Sequence, residues 1–373
     1  MHRPTLLGAL ATAAVITAAV AGPTAQAGTS PAPPSTSAKA SSAKASFRQP
    51  TVPGWPISNP GVIHTQDSHG SRYVVLETGG ATQLGTISVA TDPDSRAGWT
   101  RLANRQLLDR VPRYAAAVKG VWAPSGTYVP AQHRYYTFYS APVAGHTGDA
   151  TFPPRCLFVG KTMTDYLDPA GDTGLGTAVF KAVNKPLVCW RGSGAPAGHV
   201  IGRPDPGFSL IDPTPTWIGR HLFLLYKTQF KRGSLWHSTI RMAQLNPAQP
   251  TQVLKDRPLT SYKNVSIEEN PVLVKHAGRY VLFTSRGWYH SACTTSPHPY
   301  HSVFRTSGNK WVWGRSVTTL PVPKGTCGTG NAQPVGNRYF FNGRWRTVKG
   351  PLHLYVGRLA WKGDQPRVTR LFP

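Results

Sequence analysis

Five segments of the chain share one pattern, and that repetition constrains the fold more than any other feature. They read "SNPGVIHTQDSHGSRYVVLETGG", "WAPSGTYVPAQHRYYTFYSAP", "IDPTPTWIGRHLFLLYKTQ", "EENPVLVKHAGRYVLFTSRGW" and "NAQPVGNRYFFNGRW". Each has a proline, a short apolar run, a turn, an arginine followed by an aromatic or His, and then a β-rich strand. The arginines are Arg72, Arg134, Arg220, Arg279 and Arg338. Gly or His stands just before Arg134, Arg220 and Arg279, as tight hairpins require. Helical periodicity is nearly absent, and 37 Gly and 35 Pro punctuate the chain. Short strands between such turns predict an all-β fold. Repetition at roughly 60 residues or more predicts a propeller rather than a sandwich, and five units predict a five-bladed β-propeller.

In a propeller the first strand of each blade lines the central axis. The residues just before the shared prolines are Asn59, Ala123, Asp212, Asn270 and Gln333, with Glu269 one place earlier in the fourth unit. They are predicted to converge on one funnel. Convergent carboxylates in a concave site point to chemistry.

Residues 1–27 read as a secretory signal. Arg3 supplies the positive start, an Ala-, Leu- and Val-rich stretch follows, and Ala25-Gln26-Ala27 has the small-x-small form of a cleavage site. Residues 28–50 are Ser, Pro, Ala and Lys without periodicity, a composition that cannot bury a core. The propeller domain is expected over 51–373. No later segment is apolar and long enough to span a bilayer.

Export implies an oxidising compartment, so the four cysteines are expected in two disulfides. Three pairings are possible. Cys156–Cys189 with Cys293–Cys327 is favoured because the two loops it closes are of similar span. No CxxC pair suggests zinc. Lys and Arg number 41 against 15 Asp and Glu, a formal charge of +26. Such a surface attracts polyanions, and for an exported protein these are anionic polysaccharide or cell wall. The stretch "YKTQFKRGSLWHSTIR" mixes basic and aromatic residues; it reads as a hairpin with a guarded basic edge rather than a nucleic-acid site.

The repeat segments resemble glycoside hydrolase family 43, five-bladed propeller enzymes that cleave arabinose and xylose linkages. "WAPSGTYV" resembles the second-blade segment, "IDPTPTWIGRHLFLLYKT" the third, "IEENPVLVKHAGRYVLFTSRGWY" the fourth and "GPLHLYVGRLAW" the closing strand. "RCLFVGKTMTD" with "KPLVCW" resembles the passage between the second and third blades. The resemblance implies inverting hydrolysis, in which a carboxylic acid protonates the leaving oxygen and a carboxylate roughly 6.5–9.5 Å away deprotonates water. It assigns Glu269 as general acid and Asp212 as the carboxylate that raises the acid's pKa by like-charge repulsion. Glu268 is expected to face away, because side chains alternate along a strand.

The chain departs from the family at three places. Asn59 fills the slot of the catalytic base, and an amide does not accept a proton at neutral pH. Asp67, Asp92 and Asp94 lie in the same unit without replacing it. Asn331 fills a slot where the family has a His that helps hold calcium or water, so no metal or other cofactor is expected. His353 stands where many members have Arg. Asn59, Asn331 and the rings of Trp122 and Trp288 are candidate sugar-binding residues. The expectation is a secreted, monomeric glycoside hydrolase-like protein acting on pentose-containing polysaccharide, slowed by Asn59. The alternative is a non-catalytic carbohydrate-binding propeller.

Overall fold

The computed structural model describes residues 59–79, 84–116, 120–146, 153–202, 208–288, 298–323, 326–345 and 353–372. The expected signal (1–27) and linker (28–50), and Cys293, lie outside the described residues. The described chain is all-β, with two one-turn helical pieces, Arg96–Gly98 and Pro130–Gln132.

The strands form five separate sheets, each from one unbroken stretch of sequence. Their inner strands are Gly61–Asp67, Trp122–Val129, Ser209–Ile218, Ile267–His276 and Thr326–Val335. Each inner strand touches the next, and the fifth touches the first, so the ring closes. This is an all-β propeller. Four sheets have four strands each and the second has seven. The additions to the second sheet include Val188–Trp190, which carries Cys189. The Cys156–Cys189 disulfide joins it to Arg155–Lys161 across 4.8 Å between Cα atoms.

Apolar side chains are buried between neighbouring sheets rather than in one central mass. Phe223, Leu225 and Met242 of the third sheet pack on Leu273 and Leu282 of the fourth. Val62, Tyr73 and Val75 of the first pack on Phe340, Leu354 and Val356 of the fifth. Alternation along each strand sends one face to each neighbour, which is why the strands read as nearly continuous apolar runs. Two-residue hairpins link the strands. At Ala277-Gly278 both φ angles are positive, 46° and 78°, the geometry that matches strand twist.

One conformation recurs at the same end of four inner strands. Asn59, Ala123, Asp212 and Asn270 all sit in the left-handed region, at φ of 51°, 44°, 59° and 55°. Each precedes a proline, which itself disfavours helical ψ. Such backbone costs of order 1–3 kcal/mol per residue and persists only where the surroundings fix it. At the second, third and fourth sheets the strand register shifts at these residues, a bulge that turns them toward the axis. In the fifth sheet the shift lies between Gly330 and Gln333, around Asn331 and Ala332. The fifth axial position is therefore Asn331, two residues before the expected Gln333; the shared proline misleads there because it follows the bulge instead of sitting in it.

Gln333 has a different task. Its Oε1 accepts from Val62 N at 2.7 Å and its Nε2 donates to Val62 O at 2.8 Å, fastening the fifth sheet to the first. Gly61 follows Pro60 because a Cβ there would collide with the Pro124 carbonyl of the second sheet.

Candidate active site

The four left-handed residues open onto one axial cavity. Its lining includes Asn59, Ala123, Asp212, Asn270, Ser125 and Gln333. Asp212 is the one carboxylate among the described lining residues. Asn59 and Asp212 thus share a cavity, as the repeat predicts.

Glu269 joins them through a residue that sequence reasoning missed. Lys227, on the second strand of the third sheet, is opposite Ile211, next to the bulge that presents Asp212. Its Nζ lies 2.5 Å from Glu269 Oε2 and 3.2 Å from Asp212 Oδ2. All three side chains are buried. Tyr300 donates its hydroxyl to Glu269 Oε1 at 2.8 Å and accepts from Asn270 Nδ2 at 2.5 Å. The Asn270 backbone N–H donates to Asp212 Oδ2 at 3.2 Å.

This arrangement corrects the expected electrostatics. The expectation was bare repulsion between Asp212 and Glu269, whereas an ammonium is bonded to both. Burial pushes Asp212 up to about 6, against the pull of Lys227 and with a smaller push from Glu269. Burial alone would lower Lys227, but Asp212 and Glu269 together hold it above the usual lysine range. The buried ammonium is therefore charged, and its partners compensate its desolvation.

Glu268 is buried as well, on the other side of the strand. Thr284 donates to Oε1 at 2.9 Å, Arg305 to Oε1 and Oε2 at 2.5 and 2.9 Å, and Arg286 to Oε2 at 3.0 and 3.1 Å. Burial would raise its pKa; the hydrogen bonds and charge of Arg305, with Arg286, hold it below the usual range. The two adjacent acids of "EENP" therefore split: Glu269 turns to the axial lysine, Glu268 to a pair of arginines between strands.

The other first-sheet acids stay away from the axis. Asp67 accepts from Leu167 N and His69 N, and Asp94 pairs with Arg338. Trp122 stands beside Ala123, but the Arg155 guanidinium carbon lies 3.4 Å from its ring centre, so one face is already covered. Trp288 meets Trp236 edge-on at 5.4 Å. The Asn331 side chain lies outside the described ones. Among the described residues no three His, Cys, Asp or Glu side chains converge as metal ligands.

Lys227 left a trace in the sequence, a lone lysine inside the apolar run "LFLLYKTQF". A buried lysine demands a buried anion, and two were available. Tyr300 left none, since its contact spans 31 residues of chain.

No family model matches the chain, and no curated protein matches its sequence. Solved structures do resemble it. A thermostable family-43 glycoside hydrolase superposes with a TM-score of 0.61 at 15% identity, covering 84% of this chain and 93% of that one. An endo-1,4-beta-xylanase from Bacteroides thetaiotaomicron VPI-5482 gives 0.57 at 19% identity, covering 85% and 96%. An alpha-L-arabinanase of Cellvibrio cellulosa, complexed with arabinohexaose, gives 0.59 at 15% identity, covering 84% and 96%. At these identities the likeness is one of fold: the chain has the propeller architecture of family-43 glycoside hydrolases.

Proposed function

We propose that this protein is an exported, five-bladed propeller of glycoside hydrolase type that acts on arabinose- or xylose-containing polysaccharide. The observation that supports the reading is the buried pair Asp212 and Glu269, held on one ammonium at the axial cavity. Two carboxylates that share a cation in a cleft are equipment for moving a proton. Similarity to structures described as an arabinanase and a xylanase supports the substrate class.

Glu269 is the general acid in this reading. Lys227 and Tyr300 both donate to its oxygens at rest, which favours the carboxylate. To protonate a leaving oxygen, Glu269 must exchange the lysine for a proton. Asp212, 3.2 Å from the same ammonium, can hold Lys227 during that exchange. Asn59 faces the water side and can orient water without deprotonating it, which lowers the rate by roughly 10²–10⁴ relative to a carboxylate base.

Asn59 also favours a second reading, a carbohydrate-binding propeller without turnover. One experiment separates the two: the mature protein is incubated with aryl pentosides, arabinan, arabinoxylan and xylan beside a Glu269→Gln control. Sugar release above the control supports hydrolysis. Release no greater than the control ends that reading, and binding lost in Asp212→Ala then supports the second.

A further inference from the structure

The basic and aromatic stretch after Lys227 has a place in the fold that the axial site does not account for. The hairpin His221–Arg232 and Leu235–Asn246 continues past Lys227 at the carboxylate end. Lys227, Gln229 and Lys231 share one face of its first strand, opposite Ile240, Ser238 and Trp236. That face looks at the fourth sheet. Lys227 meets Glu269 there, Ser238 Oγ accepts from Glu268 N at 3.0 Å, and Trp236 meets Trp288. Lys231 and Trp236 therefore stand four residues beyond the ion pair, about 13 Å along the strand at ~3.3 Å per residue.

The crease so formed is aromatic and cationic. Lys231 Nζ lies 5.9 Å from the Trp236 ring centre, and the Arg286 guanidinium carbon 4.5 Å from that of Tyr262. Residues 228–240 and 259–267 carry Lys231, Arg232 and Lys263 and no Asp or Glu. Glu268, at the foot of the crease, is already bonded by two arginines, which leaves an excess of positive charge. Flat rings beside unneutralised cations suit a sugar that carries a carboxylate.

The geometry points to a uronic-acid subsite in this crease, so that the substrate is a uronate-substituted pentosan with its neutral pentose at the axial cavity. This inference rests on the pentosan reading above and specifies its substrate. The cations fix the acidic unit and the rings carry its apolar face.

The test uses the mature protein, native glucuronic-acid-substituted xylan and the same xylan after carboxyl reduction, which removes the charge and keeps the sugar chain. Affinities are measured by affinity electrophoresis at low salt, with Lys231→Gln, Lys231→Arg and Trp236→Ala beside the unaltered protein. A charge-assisted contact predicts about ten-fold tighter binding of the native xylan. That ratio falls toward one in Lys231→Gln, persists in Lys231→Arg, and both xylans bind more weakly to Trp236→Ala. Equal affinity of the unaltered protein for the two xylans overturns the subsite while leaving the pentosan reading standing. Equal retention by polyglutamate shows charge attraction without sugar recognition and also overturns it. Binding of neither xylan, nor of arabinan, overturns the pentosan reading and the subsite with it.

Discussion

Lys227 Nζ sits 2.5 Å from Glu269 Oε2 and within bonding reach of Asp212, so one buried cation serves two acids from two sheets. The contact fixes the third sheet against the fourth and sets the charge of the axial site. Replacing Lys227 by Met leaves two buried carboxylates facing each other. The expected loss is about 3–5 kcal/mol at pH 7. Urea unfolding at pH 7 and pH 5 measures it, with the smaller loss at pH 5, where Asp212 takes up a proton.

Asp212 makes the stability of the protein depend on pH. Its carboxyl is raised from 3.8 to about 6. The folded state therefore binds this proton more tightly than the unfolded state. The contribution is full below about pH 4 and is lost as pH rises through 6. A shift of this size corresponds to about 3 kcal/mol. Asp212→Asn removes that decline, which unfolding curves between pH 4 and 7 detect.

Asn59→Asp tests whether the scaffold lacks only its base. A carboxylate at this position is expected to raise kcat on an aryl pentoside by roughly 10²–10⁴. Steady-state rates of Asn59→Asp, alone and combined with Glu269→Gln, measure the gain. The double variant is expected to lose it.

Gln333 bonds both the N–H and the C=O of Val62. Gln333→Leu leaves those two backbone groups without their side-chain partners, at a cost of about 2–3 kcal/mol. Denaturant midpoints check this, and the slope of the transition is expected to stay unchanged.

The Cys156–Cys189 bridge closes a loop of 33 residues in the second sheet. Loop entropy predicts a loss of about 3–4 kcal/mol on Cys156→Ser with Cys189→Ser. Thermal unfolding of this variant beside the unaltered protein measures it.

Much of the fold was legible because propeller sheets are local. Hairpin turns and apolar strands declare themselves in short stretches, and the repeated proline marked the axial bulge in four sheets. The fifth misled because Pro334 lies beyond its bulge. Asp212 and Asn59 were legible for the same local reason, each fixed beside a proline. Lys227 and Tyr300 were not, because what matters about them is the neighbour they meet across a sheet boundary. The role of Glu268 was half legible: alternation predicted its direction, and nothing nearby in sequence announced Arg305.

Because every sheet comes from one unbroken stretch, a chain leaving the ribosome can complete four of them before the last is made. The flank of Val62, Tyr73 and Val75 then waits for Phe340, Leu354 and Val356, nearly the last residues synthesised. Until they arrive the circle has two greasy lips, and an early stop codon in the fifth sheet would expose both to aggregation.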